Sequence, residues 1–131
     1  MWYDNVDTIN KPFLLSLYIK VPKLDDIELL KTVITYNKVS LIFRMPYYAD
    51  NPPTKWVIKK CNSVLIELDI CVIKNISFSR KGNGTKVNMK IIKRNDELEI
   101  ELNGDTNIKI VAEACMIQKI EGMITNKALH N

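Results

Sequence analysis

The sequence predicts an α+β domain in which a short N-terminal helix packs on a mainly antiparallel β-sheet of six or seven strands. Three observations carry this. One helical stripe appears early and stops at Pro22. From Asp26 onward, apolar and polar residues alternate along most segments, the signature of half-buried strands. Turn residues then recur at roughly the 8–12-residue spacing of antiparallel folds, with no strand–helix–strand alternation that would build a parallel sheet.

The elements follow in order. Phe13, Leu14, Leu17 and Tyr18 make one stripe over Asn10–Ile19, with Asn10 as the expected N-cap and Pro12 in the first turn, where a missing amide costs nothing. So short a helix must be held by packing rather than by propensity. Trp2, near the chain end, is expected to be tied to the core. The branched-rich run from Ile27 to Tyr36 predicts a first strand, turned at Asn37-Lys38 into Val39–Met45. Ser63–Ile73 alternates Val64, Ile66, Leu68, Ile70 and Val72 against Glu67 and Asp69, and Ile76 and Phe78 extend it or begin another strand. Arg80–Thr85 is a turn, with Gly82 and Gly84 expected to supply positive φ. Val87, Met89 and Ile91 alternate next. After a turn at Lys93–Glu97 come Leu98, Ile100 and Leu102, opposite Glu99 and Glu101. Ile108, Ile110, Ala112 and Ala114 follow Asn103-Gly104-Asp105. Cys115–Ile124 is apolar without a clear period, and residues 124–131 read as a loose tail of a single domain spanning 1–131.

Between two strand-like runs lies Pro46-Tyr47-Tyr48-Ala49-Asp50-Asn51-Pro52-Pro53-Thr54-Lys55-Trp56. Proline fixes φ, removes a donor and pushes its predecessor toward extended geometry, so Asn51-Pro52-Pro53 is neither helix nor central strand. The segment is predicted to be an ordered, stiff loop joining two antiparallel strands. Stiff aromatic loops lose little entropy on binding and make good contact surfaces. The same rings also suit a second role, closing one end of a β core. Trp56, expected to lead directly into a strand, is assigned to that core.

Size and charge narrow the class. A chain of 131 residues is long enough for a core without staples, and its 47% hydrophobic and 26% charged residues are those of a globular protein. The net charge of +4 is mild and its lysines and arginines are dispersed. With no recognition helix and no ribonucleoprotein aromatic motif, the sequence argues against a nucleic-acid partner. Cys61, Cys71 and Cys115 are odd in number and form no CxxC pair, as expected of reduced thiols in a cytoplasmic protein. No run approaches the roughly 20 apolar residues of a membrane span, so no membrane partner is expected.

Catalytic chemistry finds few candidates. The single histidine, His130, stands next to the last residue, a poor place to orient an imidazole for Ser-His-Asp or Cys-His chemistry. Without a neighbouring histidine or helix N-terminus, the three cysteines have no evident means of stabilising a thiolate, and no enzymatic role is expected for them. Gly82-Asn83-Gly84-Thr85-Lys86 lacks the spacing of a phosphate loop and leads into a strand. Glu67 with Asp69, and Glu99 with Glu101, are i, i+2 pairs able to hold an acid and base or a hard cation, but sheet alternation already accounts for them. Lys90 and Lys109 are natural cross-strand partners for the second pair. No cofactor is expected.

Taken in order, Met1-Trp2-Tyr3-Asp4-Asn5, Pro22-Lys23-Leu24 and, most sharply, Asp50-Asn51-Pro52-Pro53-Thr54-Lys55-Trp56 followed by a long β run resemble the immunity protein 50 family of bacterial polymorphic toxin systems. The resemblance implies a cytoplasmic antidote that neutralises a cognate toxin by binding it, with no catalysis and no cofactor. Within such a protein, Tyr47, Tyr48, Asp50 and Lys55 are the expected partner-binding residues, Tyr47 and Tyr48 foremost. A mildly basic chain is a poor mimic of nucleic acid, so a nuclease toxin would be blocked by shape or at an exosite. The alternatives are a β-rich module binding a small molecule or nucleic acid, and a metal-dependent hydrolase using Glu67, Asp69, Glu99 and Glu101.

Overall fold

A computed structural model of the chain describes residues 1–126. Its strands are β1 (Ile27–Ile34), β2 (Lys38–Arg44), β3 (Ser63–Arg80), β4 (Lys86–Arg94), β5 (Glu97–Gly104) and β6 (Thr106–Met123). Every pairing between them is antiparallel. The order β1-β2-β3-β6-β5-β4 closes into a barrel: the antiparallel sheet has six strands, within the expected number, the short N-terminal helix buries Leu14 and Leu17 against the core, and the sheet in addition covers itself. Two three-stranded meanders, β1-β2-β3 and β4-β5-β6, join along their last strands. They meet again along their first strands only at Ile27↔Val87 and Glu28↔Lys86.

The helices are few and short. A 3₁₀ turn spans Trp2–Asn5, α1 spans Lys11–Leu17 and α2 spans Thr54–Ile58. Trp2 is buried as expected, and its indole donates to the Pro22 carbonyl at 3.0 Å. Asn10 stands at the N-cap of α1 but does not cap with its side chain. Its amide donates instead to the Ile117 carbonyl at 2.7 Å, pinning α1 to β6.

Side-chain alternation builds the interior. Leu41, Phe43, Ile66, Leu68, Ile70, Ile100, Leu102 and Ile110 are essentially inaccessible. Each such burial contributes about 1.5–3 kcal/mol against an exposed reference. β3 and β6 each run for 18 residues, β3 past Ile73 to Arg80, because they bend instead of ending. An extra residue enters β3 between Ile73 and Asn75, and another enters β6 where Glu67↔Lys119 gives way to Leu68↔Ile117. Val72 takes φ 56°, costly for a β-branched residue, at the first bend. On β6 the buried set steps from Ala112 to Cys115, with Glu113 and Ala114 both exposed between them. These irregularities erase the period of two in Cys115–Ile124, where no strand was expected.

Two turns differ in how they work. Asn95 and Asp96 both have positive φ, the two-residue hairpin turn that matches strand twist. No glycine does. Gly82 and Gly84 serve the β3–β4 turn by leaving room for the Asp105 carboxylate, which stands where their side chains would be. Asp69, expected on a solvated face, is buried. It accepts from the Ser40 hydroxyl at 2.7 Å and faces the Lys38 ammonium at 3.6 Å. Glu28 and Arg44 form a largely buried ion pair across β1 and β2.

The interior thiol gives a pH prediction. Burial pushes the Cys115 thiol up to about 12, from an ordinary value of 9.0. The folded state therefore holds this proton more tightly than the unfolded chain does. The associated stability is complete below the ordinary thiol value and is lost as pH climbs through the interval up to the folded value. Urea melts across that alkaline window should show a steep decline, and Cys115→Ala should decline less steeply although it starts from lower stability.

Candidate functional site

The chain between β2 and β3 covers one end of the barrel together with α1. Proline placement dictates its course. Pro46, Pro52 and Pro53 keep residues 46–53 out of both helix and strand, and the helix starts as soon as they end, at Thr54. The expected ordered loop is therefore present from Tyr47 to Pro53. Trp56, however, lies in α2 and does not lead directly into a strand.

The loop is held to the end of α1 and the residues just after it by its main chain and by Asp50. The Asn51 amide donates to the Leu17 carbonyl at 2.9 Å, and the Ile19 amide donates to the Asp50 carboxylate at 2.8 Å. The buried Tyr18 hydroxyl donates to the Tyr47 carbonyl at 2.7 Å. Burial, and next the nearby Asp50 charge, push the Tyr18 phenol well above its usual range. It stays a neutral donor at any physiological pH.

Trp56 is the anchor. It is buried, meets Phe13 of α1 edge-on at 5.9 Å between ring centres, and lies against Tyr48 at 6.4 Å. Its indole covers Gly122 of β6, where an added Cβ would come within 2.5 Å of the ring. Gly122 is thus required by close approach and not by backbone freedom.

The four sequence-predicted contact residues are divided by this arrangement. Tyr47 is half exposed, and Lys55 is exposed on α2. Tyr48 is half-buried against Trp56, and its hydroxyl lies buried with no hydrogen-bond partner among the described residues. Burial and, after it, Cys61 push its phenol up. Asp50 is exposed but engaged with the Ile19 amide. Two neighbours that sequence reasoning missed, Val57 and Ile58, are 58% and 75% exposed on the same helix. Expected as part of a strand lead-in, they gave no signal of their own, because five residues are too few to show a helical period.

Three of the four carboxylates weighed for catalysis, Asp69, Glu99 and Glu101, stand against cations. Glu99 meets Arg94 at 2.8 Å, and Glu101 stands 4.0 Å from Lys109, one of its expected partners. No group of three His, Cys, Asp or Glu side chains able to hold a metal occurs among the described residues, and His130 lies outside them. Of the segment read as a tail, Thr125 exchanges two hydrogen bonds with Asn62, and residues 127–131 lie outside the described part. No helix among the described residues is long and apolar enough to cross a membrane.

The described residues thus form one antiparallel β-barrel with a docked aromatic segment covering one end. The family model for immunity protein 50 matches residues 10–123, and the chain belongs to that family. Membership sets it among the immunity proteins of toxin systems, whose partner is in general a toxin and which are in general not enzymes. No curated protein and no solved structure matches the chain.

Two substitutions test the anchoring. Tyr48→Phe removes a hydroxyl that is buried without a partner, so the melting temperature should hold or rise. Gly122→Ala should cost about 1–3 kcal/mol by driving the Trp56 ring from its seat, read by denaturant unfolding.

Proposed function

We propose that this chain is a non-catalytic cytoplasmic antidote that neutralises a cognate polymorphic toxin by binding it directly. The observation that carries the reading is the family match over nearly the whole described barrel. The cap supplies a contact surface suited to it. Tyr47 and Lys55 present a ring and a cation, Val57 and Ile58 add apolar area, and Tyr48 and Asp50 hold the presenting segment while contributing its edge. A surface fixed by main-chain bonds and one buried indole is already ordered before binding, so little entropy is lost when a partner docks. Tyrosine at the centre of such a patch is the residue type that dominates interface energetics.

Co-expression with the toxin encoded beside the gene should restore growth, whereas toxins from unrelated loci should not be neutralised. Tyr47→Ala with Lys55→Glu should weaken neutralisation at an almost unchanged melting temperature. Trp56→Ala should lower stability by about 3–5 kcal/mol. Full protection by the Tyr47/Lys55 double variant would remove the cap from the contact surface.

A further inference from the structure

Ile34 and Phe78 lie on the core-facing side of their strands yet are 55% and 53% exposed. Ile34 pairs with Val39 and Phe78 with Ile108, and both partners are almost wholly buried. Directly paired residues share a face of the sheet. The barrel's interior face is therefore uncovered between the end of β1 and the far end of β3.

The backbone of β1 is open at the same place. β1 meets β4 only at Ile27 and Glu28, and the next bond on that side is the Leu29 amide to the Thr85 carbonyl at 2.8 Å. Farther along, the Thr35 amide donates to the Lys38 carbonyl at 2.9 Å. The antiparallel ladder alternates, so Lys31, Val33 and Thr35 exchange bonds with β2. The amides and carbonyls of Thr32 and Ile34 then point away from β2. No strand among the described residues pairs with them there. A groove of about 410 Å³ runs along this edge, with Leu30, Thr32 and Ile34 on one side and Phe78 and Arg80 on the other. Its charged lining residues are Lys31 and Arg80, and no carboxylate lines it.

We infer that this groove receives an extended, acidic segment of the toxin, which adds to β1 as a strand at Thr32 and Ile34. The inference rests on the toxin-binding reading and adds a second contact surface to the cap. An added strand would bond the two outward amides and carbonyls. Its apolar side chains would cover Ile34 and Phe78, a carboxylate on its outer face would meet Lys31, and one on its inner face would meet Arg80 beside Phe78. A second copy of this chain is the poorer occupant. It would bring Lys31 and Arg80 of both copies together with no acid in the groove, on a protein already carrying +4.

Thr32→Pro tests this, because it removes an amide that faces outward while leaving the β2 bonds in place, and proline is tolerated on such an edge. The variant should melt close to wild type and bind the purified toxin domain from the neighbouring gene about tenfold or more weaker. In the wild-type complex, hydrogen exchange at Thr32 and Ile34 should slow. Lys31→Glu with Arg80→Glu should weaken binding as well. If wild type binds the toxin while exchange at Thr32 and Ile34 is unchanged, the inference is overturned and the toxin-binding reading stands. If wild type binds no toxin, that reading falls and takes the inference with it. Self-association of wild type that Thr32→Pro abolishes would assign the edge to a second copy and overturn the acidic strand. Should Thr32→Pro fail to fold, exchange in the wild-type complex alone decides.

Discussion

The pairing of β3 with β6 along their whole length is the contact on which the rest of the molecule depends. It fastens two meanders that would otherwise be separate sheets, each with an exposed apolar face. Eighteen-residue strands cannot run straight around so small an interior. The extra residues at the two register shifts let both strands bend together, and the left-handed Val72 marks where the strain is taken up. The opposite seam has no comparable length. β4 begins at Lys86, so β1 runs past it after two paired residues. One long seam and one short seam leave a barrel that is tightly closed on one side and open along part of the other.

The cap answers a different need. A barrel end exposes apolar side chains and unpaired strand ends, and here α1, the proline-rich segment and α2 cover them. Covering requires that the polar main chain of an irregular segment find partners. Leu17 and Tyr18 supply them at the end of α1, where the Ile19 amide also donates to the Asp50 carboxylate. The indole of Trp56 then joins helix, loop and β6 through Phe13, Tyr48 and Gly122. Position and order in the cap thus come from a few hydrogen bonds to the end of α1 and one ring.

Half-buried strands were legible in the sequence because their period is two. Val39, Leu41 and Phe43 in β2, Val87, Met89 and Ile91 in β4, and Leu98, Ile100 and Leu102 in β5 are all buried as their alternation implies. The second half of β6 was not legible, since a bulge and a change of facing between Ala112 and Cys115 remove the period. α2 was hidden because five residues after two prolines carry no pattern. Barrel closure depends on two residue pairs far apart in the chain, which no local signal encodes. At the candidate site, the prolines announced a stiff segment, and Trp56 is buried as expected, although it sits in α2 and not at the start of a strand. The bond from the Ile19 amide to Asp50 did not follow, because it joins residues that only the fold brings together. Ile34 and Phe78 read as ordinary strand positions, and their exposure was not legible for the same reason. Alternation tells which way a side chain points and not whether a neighbouring strand arrives to cover it.

The meander arrangement also sets an order of assembly. β1 with β2 and β4 with β5 are joined by short turns, so each hairpin forms with little loop-closure entropy. The β3–β6 ribbon starts at Arg80↔Thr106, and the β4–β5 hairpin fills the chain between those two residues. Once that hairpin is folded, the ends of β3 and β6 are already close, and pairing advances from there toward Ser63↔Met123 like a closing zip. The last contacts to form are then those at Gly122, where the indole of Trp56 settles. The cap is ordered last and, by the same reasoning, is the first part to come loose under stress.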